Sequence, residues 1–273
     1  MENLAERNPL QIMIVDDVPI NRRVLGLLLS RLGYRPDLAE SGSAVLSMLS
    51  RRTYDLIFMD INMPDMDGIA TIRQIRSLPT LAHQPRIVAV TGNLQWRKAE
   101  IVTAGADGVM VKPVHFHQLK RMFLLDDRQP SPHSPAVSHS TADILDQKIV
   151  QSLISLDDGD FIRDLVETAD RELPTEVDLL ETALRSGTAD SAIAHAHRLR
   201  GAAATLGGRD LATQAGIMEC LARRGDLEAP LDHLVAIRST LSLTLLELRR
   251  LASKPPNAQV GPKMCNFRAA SSA

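Results

Sequence analysis

Hydrophobic positions in the first 126 residues follow two periods that alternate along the chain. Short apolar runs at Gln11 to Val15, Arg35 to Ala39, Leu56 to Met59, Arg86 to Val90 and Gly108 to Val111 predict strands. Between them apolar residues recur at helical spacing. The first helical set is Val24, Leu25, Leu27, Leu28 and Leu32, stopping at Gly33, and the second is Val45, Leu46, Met48 and Leu49. Ile69 to Ile75, Gln95 to Thr103 and His117 to Leu125 complete the series. Pro19 suits a first helical turn, where its missing N–H costs nothing, and Ser41 or Ser43 can cap the second helix. Leu56-Ile57-Phe58-Met59 has no polar interruption, which predicts a strand covered on both faces. This alternation predicts an α/β fold, a doubly wound five-stranded parallel sheet.

After residue 142 only the helical period remains. Ile144 to Leu156 is a short helix with Asp146 as its cap. Phe161 to Ala169 keep helical spacing as far as Pro174, and Val177 to Leu184 continue to a stop at Ser186-Gly187. Thr188 is expected to cap a helix carrying Ile193, Ala196, Ala203 and Leu206, which ends at Gly207-Gly208. Leu211 to Leu221 and Leu231 to Leu251 follow. Longer amphipathic helices with short connections predict an all-α helical bundle of four helices over 143–253, preceded by one or two shorter ones. Residues 127–142 are rich in Pro and Ser and read as a linker, its histidines His133 and His139 being simply polar; residues 254–273, with Pro255-Pro256, read as a disordered tail.

Composition narrows the class. With 44% apolar and 23% charged residues, the 273-residue chain has the make-up of a soluble globular protein of two domains. A net charge of -2 argues against a nucleic-acid partner. Cys220 and Cys265 form neither a disulfide framework nor a metal-ligand spacing. No apolar run reaches the roughly 18 residues of a membrane span, and the N-terminus lacks a signal-peptide core. A cytoplasmic protein without membrane insertion is expected.

Chemistry concentrates at the strand ends: Asp16 and Asp17, then Asp60, then Thr91, then Lys112. Parallel strands put their carboxyl ends together, where such sheets hold ligands. Converging acids repel one another and need a cation, and hard oxygen ligands of this number suit Mg²⁺. The metal and the Lys112 ammonium would neutralise a phosphoryl group arriving on Asp60, with the Thr91 hydroxyl donating to another phosphoryl oxygen. An aspartyl-phosphate phosphatase also uses a strand-end Asp and Mg²⁺. That class needs a second acid two residues later, and Asn62 stands there.

VDD-x-P-x-N (Val15 to Asn21), MD-x-x-MP-x-MDG (Met59 to Gly68), the strand-end Thr91 and Lys112-Pro113 occur in the order and spacing of a response-regulator receiver domain. The wording most resembles receivers attached to hybrid sensor kinases, and the likeness covers 1–126. It implies Asp60 as phospho-acceptor, Asp16 and Asp17 as Mg²⁺ ligands with the Asn62 backbone carbonyl, Thr91 as switch hydroxyl and Lys112 as phosphate-binding base. Val109 and Gly92 depart from the family pattern, in which Tyr or Phe and Ala are more usual. These departures bear on output switching rather than on phosphorylation.

In the second half one stretch differs from ordinary bundle sequence, Ala196-His197-Arg198-Leu199-Arg200-Gly201. Arg200 and Gly201 lie one turn beyond His197 on the same face. A mid-helix glycine costs about 1 kcal/mol against alanine, so a reason of packing or access is expected. Its missing side chain opens room for a partner beside His197, and Arg200 supplies positive charge. His195 falls on another face and is expected to carry no chemistry. H-x-L-[K/R]-G followed by small residues resembles the histidine phosphotransfer (HPt) domain. That resemblance implies His197 as phospho-acceptor, with Arg200 where Lys is commoner. Together the two resemblances imply a phosphorelay intermediate rather than a kinase. Its partners would be a sensor histidine kinase, hybrid kinases included, and a downstream receiver. The alternatives are a phosphate sink that drains a kinase, and a phosphorylation-controlled binding protein whose HPt half is inactive.

Overall fold

The computed structural model describes residues 10–63, 66–78, 83–92, 98–124, 144–155 and 160–253. The stretches expected to be linker (127–142) and tail (254–273), and residues 95–97 of the expected fourth helix, lie outside them.

The first half runs β1 (Ile12–Val15), α1 (Pro19–Ser30), β2 (Asp37–Ala39), α2 (Gly42–Leu49), β3 (Leu56–Asp60), α3 (Gly68–Ser77), β4 (Arg86–Thr91), α4 (Lys98–Thr103), β5 (Gly108–Val111) and α5 (Phe116–Leu124). All five strands are parallel, in the order β2-β1-β3-β4-β5. The strand order reverses at β1, so the carboxyl ends of β1 and β3 flank the switch point. Register fixes what meets there: Val15 pairs with Met59, Asp60 with Val90, and Thr91 with Val111.

Strand alternation sorts the core into two layers. Met13, Val15, Ile57 and Met59 pack with Ile72 and Ile101 on one face of the sheet. Ile12, Ile14 and Phe58 face α1 on the other. That second cluster continues beyond α1 and α5 into the apolar interior of the helical half.

The second half comprises α6 (Gln147–Ser155), α7 (Asp160–Arg185), α8 (Ala189–Thr205), α9 (Arg209–Arg223) and α10 (Ala229–Ala252). Helix α7 packs on α8, α8 on α9, α9 on α10 and α10 on α7, which closes a four-helix ring. The helical spacing on either side of Pro174 belongs to one helix, and α7 runs through the proline over 26 residues. Leu173, Val177 and Leu180 on either side are fully buried, and their burial outweighs the one backbone hydrogen bond that proline forgoes. Thr188 precedes α8 but does not cap it with its side chain. Its hydroxyl turns back to the Ala183 carbonyl and to Ser186. Asp146 does cap α6, accepting from the backbone N–H groups of Lys148 and Ile149. No helix among the described residues is long and apolar enough to cross a membrane.

Candidate phosphoryl-transfer site

Two constellations face one another across the boundary between the halves. The first is the acid pocket at the strand ends. Asp16 and Asp60 are buried, and Lys112 Nζ donates to Asp16 Oδ2 and Asp60 Oδ2, each at 2.7 Å. Asp16 Oδ1 accepts from the Val18 N–H at 2.9 Å and from Asn21 Nδ2 at 3.1 Å. Asp60 Oδ1 accepts from the Asn62 N–H at 3.2 Å. Thr91, at the end of β4, is buried beside them. Gly68 is required where it is, because a Cβ there would lie 2.0 Å from the Asp60 carbonyl oxygen. Helix α3 can therefore start against the end of β3 only at a residue without a side chain.

The pocket is short of positive charge. Carboxylate oxygens of Asp16, Asp17 and Asp60 lie within 4.8 Å of one another around one ammonium. Burial pushes the Asp60 carboxyl up to about 7; Lys112 opposes that rise, while Asp16 and Asp17 add to it. Burial, with the Asp16 charge, lifts Asp17 to about 6. Burial alone would lower Lys112, but Asp16 and Asp60 hold its ammonium well above the usual lysine range. Both Asp17 oxygens are buried and accept no hydrogen bond among the described residues. Three clustered hard oxygen donors, one of them with its lone pairs unused, fit a divalent cation such as Mg²⁺.

The second constellation surrounds His197 on α8. Its Nδ1 lies 3.1 Å from Glu219 Oε1 on α9 and 3.2 Å from Arg200 Nη2. Glu219 Oε1 also accepts from Arg223 Nε at 3.2 Å and Nη2 at 2.8 Å, while Arg200 Nη1 stands 3.2 Å from Oε2. Burial would raise Glu219, but the His197 hydrogen bond and the flanking arginines hold it down to about 2. An ionised carboxylate can only accept, so the Glu219 contact favours the tautomer with hydrogen on Nδ1 and the lone pair on Nε2. Arg200 thus stands on the Nδ1 side of the ring, tied to Glu219.

A cleft of about 220 Å³ joins the two, lined by Asp17, Asn62 and Asp67 from the first half and His197, Arg198 and Arg223 from the second. Arg198 spans it: Nη1 is 3.7 Å from Asp17 Oδ2, and Nε donates to Glu176 Oε1 at 3.1 Å. His195, although on another face from His197, is not isolated; its Nδ1 lies 2.8 Å from Glu176 Oε2 and 2.7 Å from Arg198 Nη2. Gly201 faces α1, where a Cβ would meet Asn21 Nδ2 at 3.6 Å.

Asp16, Asp17, Asp60 and Lys112 are therefore brought together, with Thr91 at the adjacent strand end. His197, Arg200 and Gly201 lie along one face of α8. Sequence reasoning gave no part to Glu219, Arg223, Arg198 or Glu176. Glu219 lies 22 residues from His197 on another helix, and only the packing of α9 on α8 reveals it. Asn21 was visible as the last letter of the first motif but had no assigned partner.

Comparison with known proteins finds a family match in each half. Residues 12–124 match the family model of the response regulator receiver domain, and residues 164–251 match that of the Hpt domain. The aerobic respiration control sensor protein ArcB of Escherichia coli K12 is 30% identical over 207 residues, covering 74% of this chain and 26% of ArcB. The signal transduction histidine-protein kinase BarA of Shigella flexneri is 26% identical over 231 residues, covering 81% of this chain and 25% of BarA. The chain thus spans about a quarter of the length of these relatives. Among solved structures, a receiver domain from Methylobacillus flagellatus is 31% identical and covers 43% of this chain and 98% of its own, with a TM-score of 0.40.

Proposed function

Because the chain carries a response regulator receiver domain followed by an Hpt domain, we propose that it is a phosphorelay intermediate that receives phosphate on Asp60 and carries it on His197. The observation that supports this reading is the shared cleft, lined by His197 from one half and by Asp17 and Asn62, members of the acid pocket or its rim, from the other. Asp60 supplies the carboxylate that takes the phosphoryl group, and Lys112 and Thr91 bind its oxygens. Asp16, Asp17, Asp60 and the Asn62 carbonyl would hold Mg²⁺. When bound, the metal supplies Lewis-acid neutralisation of phosphoryl charge.

In the step between the two residues, the bond between phosphorus and the Asp60 oxygen breaks and its electron pair returns to the carboxylate. A bond forms between phosphorus and Nε2 of His197. No proton need move, because Nδ1–H stays on Glu219, whose negative charge then faces an imidazolium. Arg200 and Arg223 keep Glu219 ionised. Both domains are acceptors, so ATP-derived phosphate comes from a histidine kinase and leaves to the aspartate of another receiver.

The test is transfer from a small-molecule phosphodonor with Mg²⁺ to the purified chain and to its Asp60→Asn and His197→Gln variants. Acid and base stability then separate acyl phosphate from phosphohistidine. Label should appear at both residues in the parent, at Asp60 alone in His197→Gln, and at neither in Asp60→Asn. A competent donor that leaves Asp60 unlabelled would overturn the reading.

A further inference from the structure

The contact between the halves carries more than proximity. Asn21 on α1 and Thr205 at the end of α8, 184 residues apart, are both buried, and the Thr205 hydroxyl donates to Asn21 Oδ1 at 2.6 Å. The amide of Asn21 has only one orientation open to it: its Nδ2 is committed to Asp16 Oδ1, so its Oδ1 must face the helical half. Gly201, one turn before Thr205, faces the same amide, where a Cβ would stand in ordinary contact at 3.6 Å from Asn21 Nδ2. At the rim, Arg23 pairs with Asp164 of α7, and both are well exposed.

We infer that this α1–α8 contact is a closed state of the chain, keyed by Asn21 and Thr205, that reserves Asp60 for its own His197 and admits a foreign HPt or receiver domain only when it opens. The inference rests on the phosphorelay reading above. A foreign HPt helix needs the ground now held by His197, Arg198 and Gly201, and two helices cannot occupy it together. The contact is also built to release. The Thr205 hydroxyl lies 2.9 Å from the Gly201 carbonyl of its own helix, so on opening it keeps an internal acceptor while Asn21 turns to water. Neither group is left buried without a partner in either state. The exposed Arg23–Asp164 pair adds little to holding and serves to steer closure. In the closed state the linked domains see one another at high effective concentration, which favours the internal step over any partner in dilute solution.

Two full-length chains test this together. The His197→Gln chain is loaded at Asp60 with radiolabelled acetyl phosphate and Mg²⁺, freed of donor, and mixed with the Asp60→Asn chain, whose His197 can only be labelled between molecules. That exchange should be slow. Thr205→Val placed in the His197→Gln chain alone releases its receiver, while the incoming HPt keeps its own Thr205. The rate between molecules should then rise about three- to ten-fold, the weight of one buried hydrogen bond. The same substitution in the otherwise parent chain should slow internal labelling of His197 far less, because the closed form still predominates when the open fraction rises several-fold. Thr205→Ser, which keeps the hydroxyl, should leave both rates as they were. Asp164→Arg in the His197→Gln chain lies on an exposed surface that tolerates change, and should also speed exchange, by a smaller factor. Unfolding of the helical half would also expose Asp60, so a gain counts only where far-UV circular dichroism and the thermal midpoint of the variant match those of the parent. No gain from either substitution, with Asp60 still labelled, would overturn the closed state while leaving the relay intact. Asp60 unlabelled in the parent chain would overturn the relay reading instead.

Discussion

The two halves solve opposite electrostatic problems. The receiver pocket gathers three carboxylates around one ammonium, and burial lifts Asp60 to about 7 and Asp17 to about 6. The HPt site surrounds one carboxylate with His197, Arg200 and Arg223, and Glu219 falls to about 2. One site lacks positive charge and the other carries an excess, and the cleft sets them face to face. A phosphoryl group, itself negative, is better accommodated on the basic side unless a cation enters the acidic one. The comparison teaches that, on the proposed reading, Asp60 would depend on a cation to take a phosphoryl group, whereas the surroundings of His197 are built from protein side chains.

Breaking the comparison at its strongest point means removing the ammonium. Lys112→Ala leaves three buried acids without their counter-charge, and labelling of Asp60 should drop by about 100-fold or more in a donor assay. Next in size is the metal. Mg²⁺ should raise the thermal midpoint of the parent chain, by the equivalent of about 2.7 kcal/mol at a hundredfold excess over Kd. Asp60→Asn should raise the metal-free midpoint and shrink the Mg²⁺ response, because it relieves the same repulsion. A midpoint indifferent to Mg²⁺ in the parent would refute the charge deficit.

Glu219→Gln sharpens the other side. Glu219 ionises near pH 2 when folded and at its ordinary 4.5 when unfolded. Its contribution to stability is therefore complete above pH 4.5 and is lost as pH falls toward 2. Parent and variant should differ by on the order of 2 kcal/mol at neutral pH, allowing for solvent screening, and converge at the acid end of denaturant titrations. A difference independent of pH would mean that Glu219 acts by packing alone. Nitrogen NMR should also show His197 losing its single Nδ1–H tautomer in the variant. The smallest effect expected is Arg200→Lys, which keeps the charge beside Glu219 but loses the guanidinium that stands against Oε2; transfer to His197 should fall by less than about threefold.

Much of the receiver site was legible because backbone topology builds it. Once five short apolar runs alternate with helices, each strand end is a point on one edge, and Asp16, Asp60, Thr91 and Lys112 fall there by sequence position alone. The HPt site was legible only along α8, where helical periodicity relates His197 to Arg200 and Gly201. What orients the imidazole comes from α9, and no local pattern announces which α9 residue will face it. Pro174 shows tertiary packing outweighing a local cost: the proline forgoes a backbone hydrogen bond, and the apolar stripe on both sides of it keeps α7 whole.

By itself, then, the sequence determined the strand and helix periods, the strand-end acids and lysine, and the glycine beside His197, since each depends on residues near in the chain or on a sheet order that few topologies allow. Tertiary structure decided that Glu219 holds Nδ1, that Arg198 reaches Asp17, and that Asn21 meets Thr205. These are meetings of side chains from separate elements, fixed by how buried faces pack, and packing is a property of the whole chain that no stretch of it encodes.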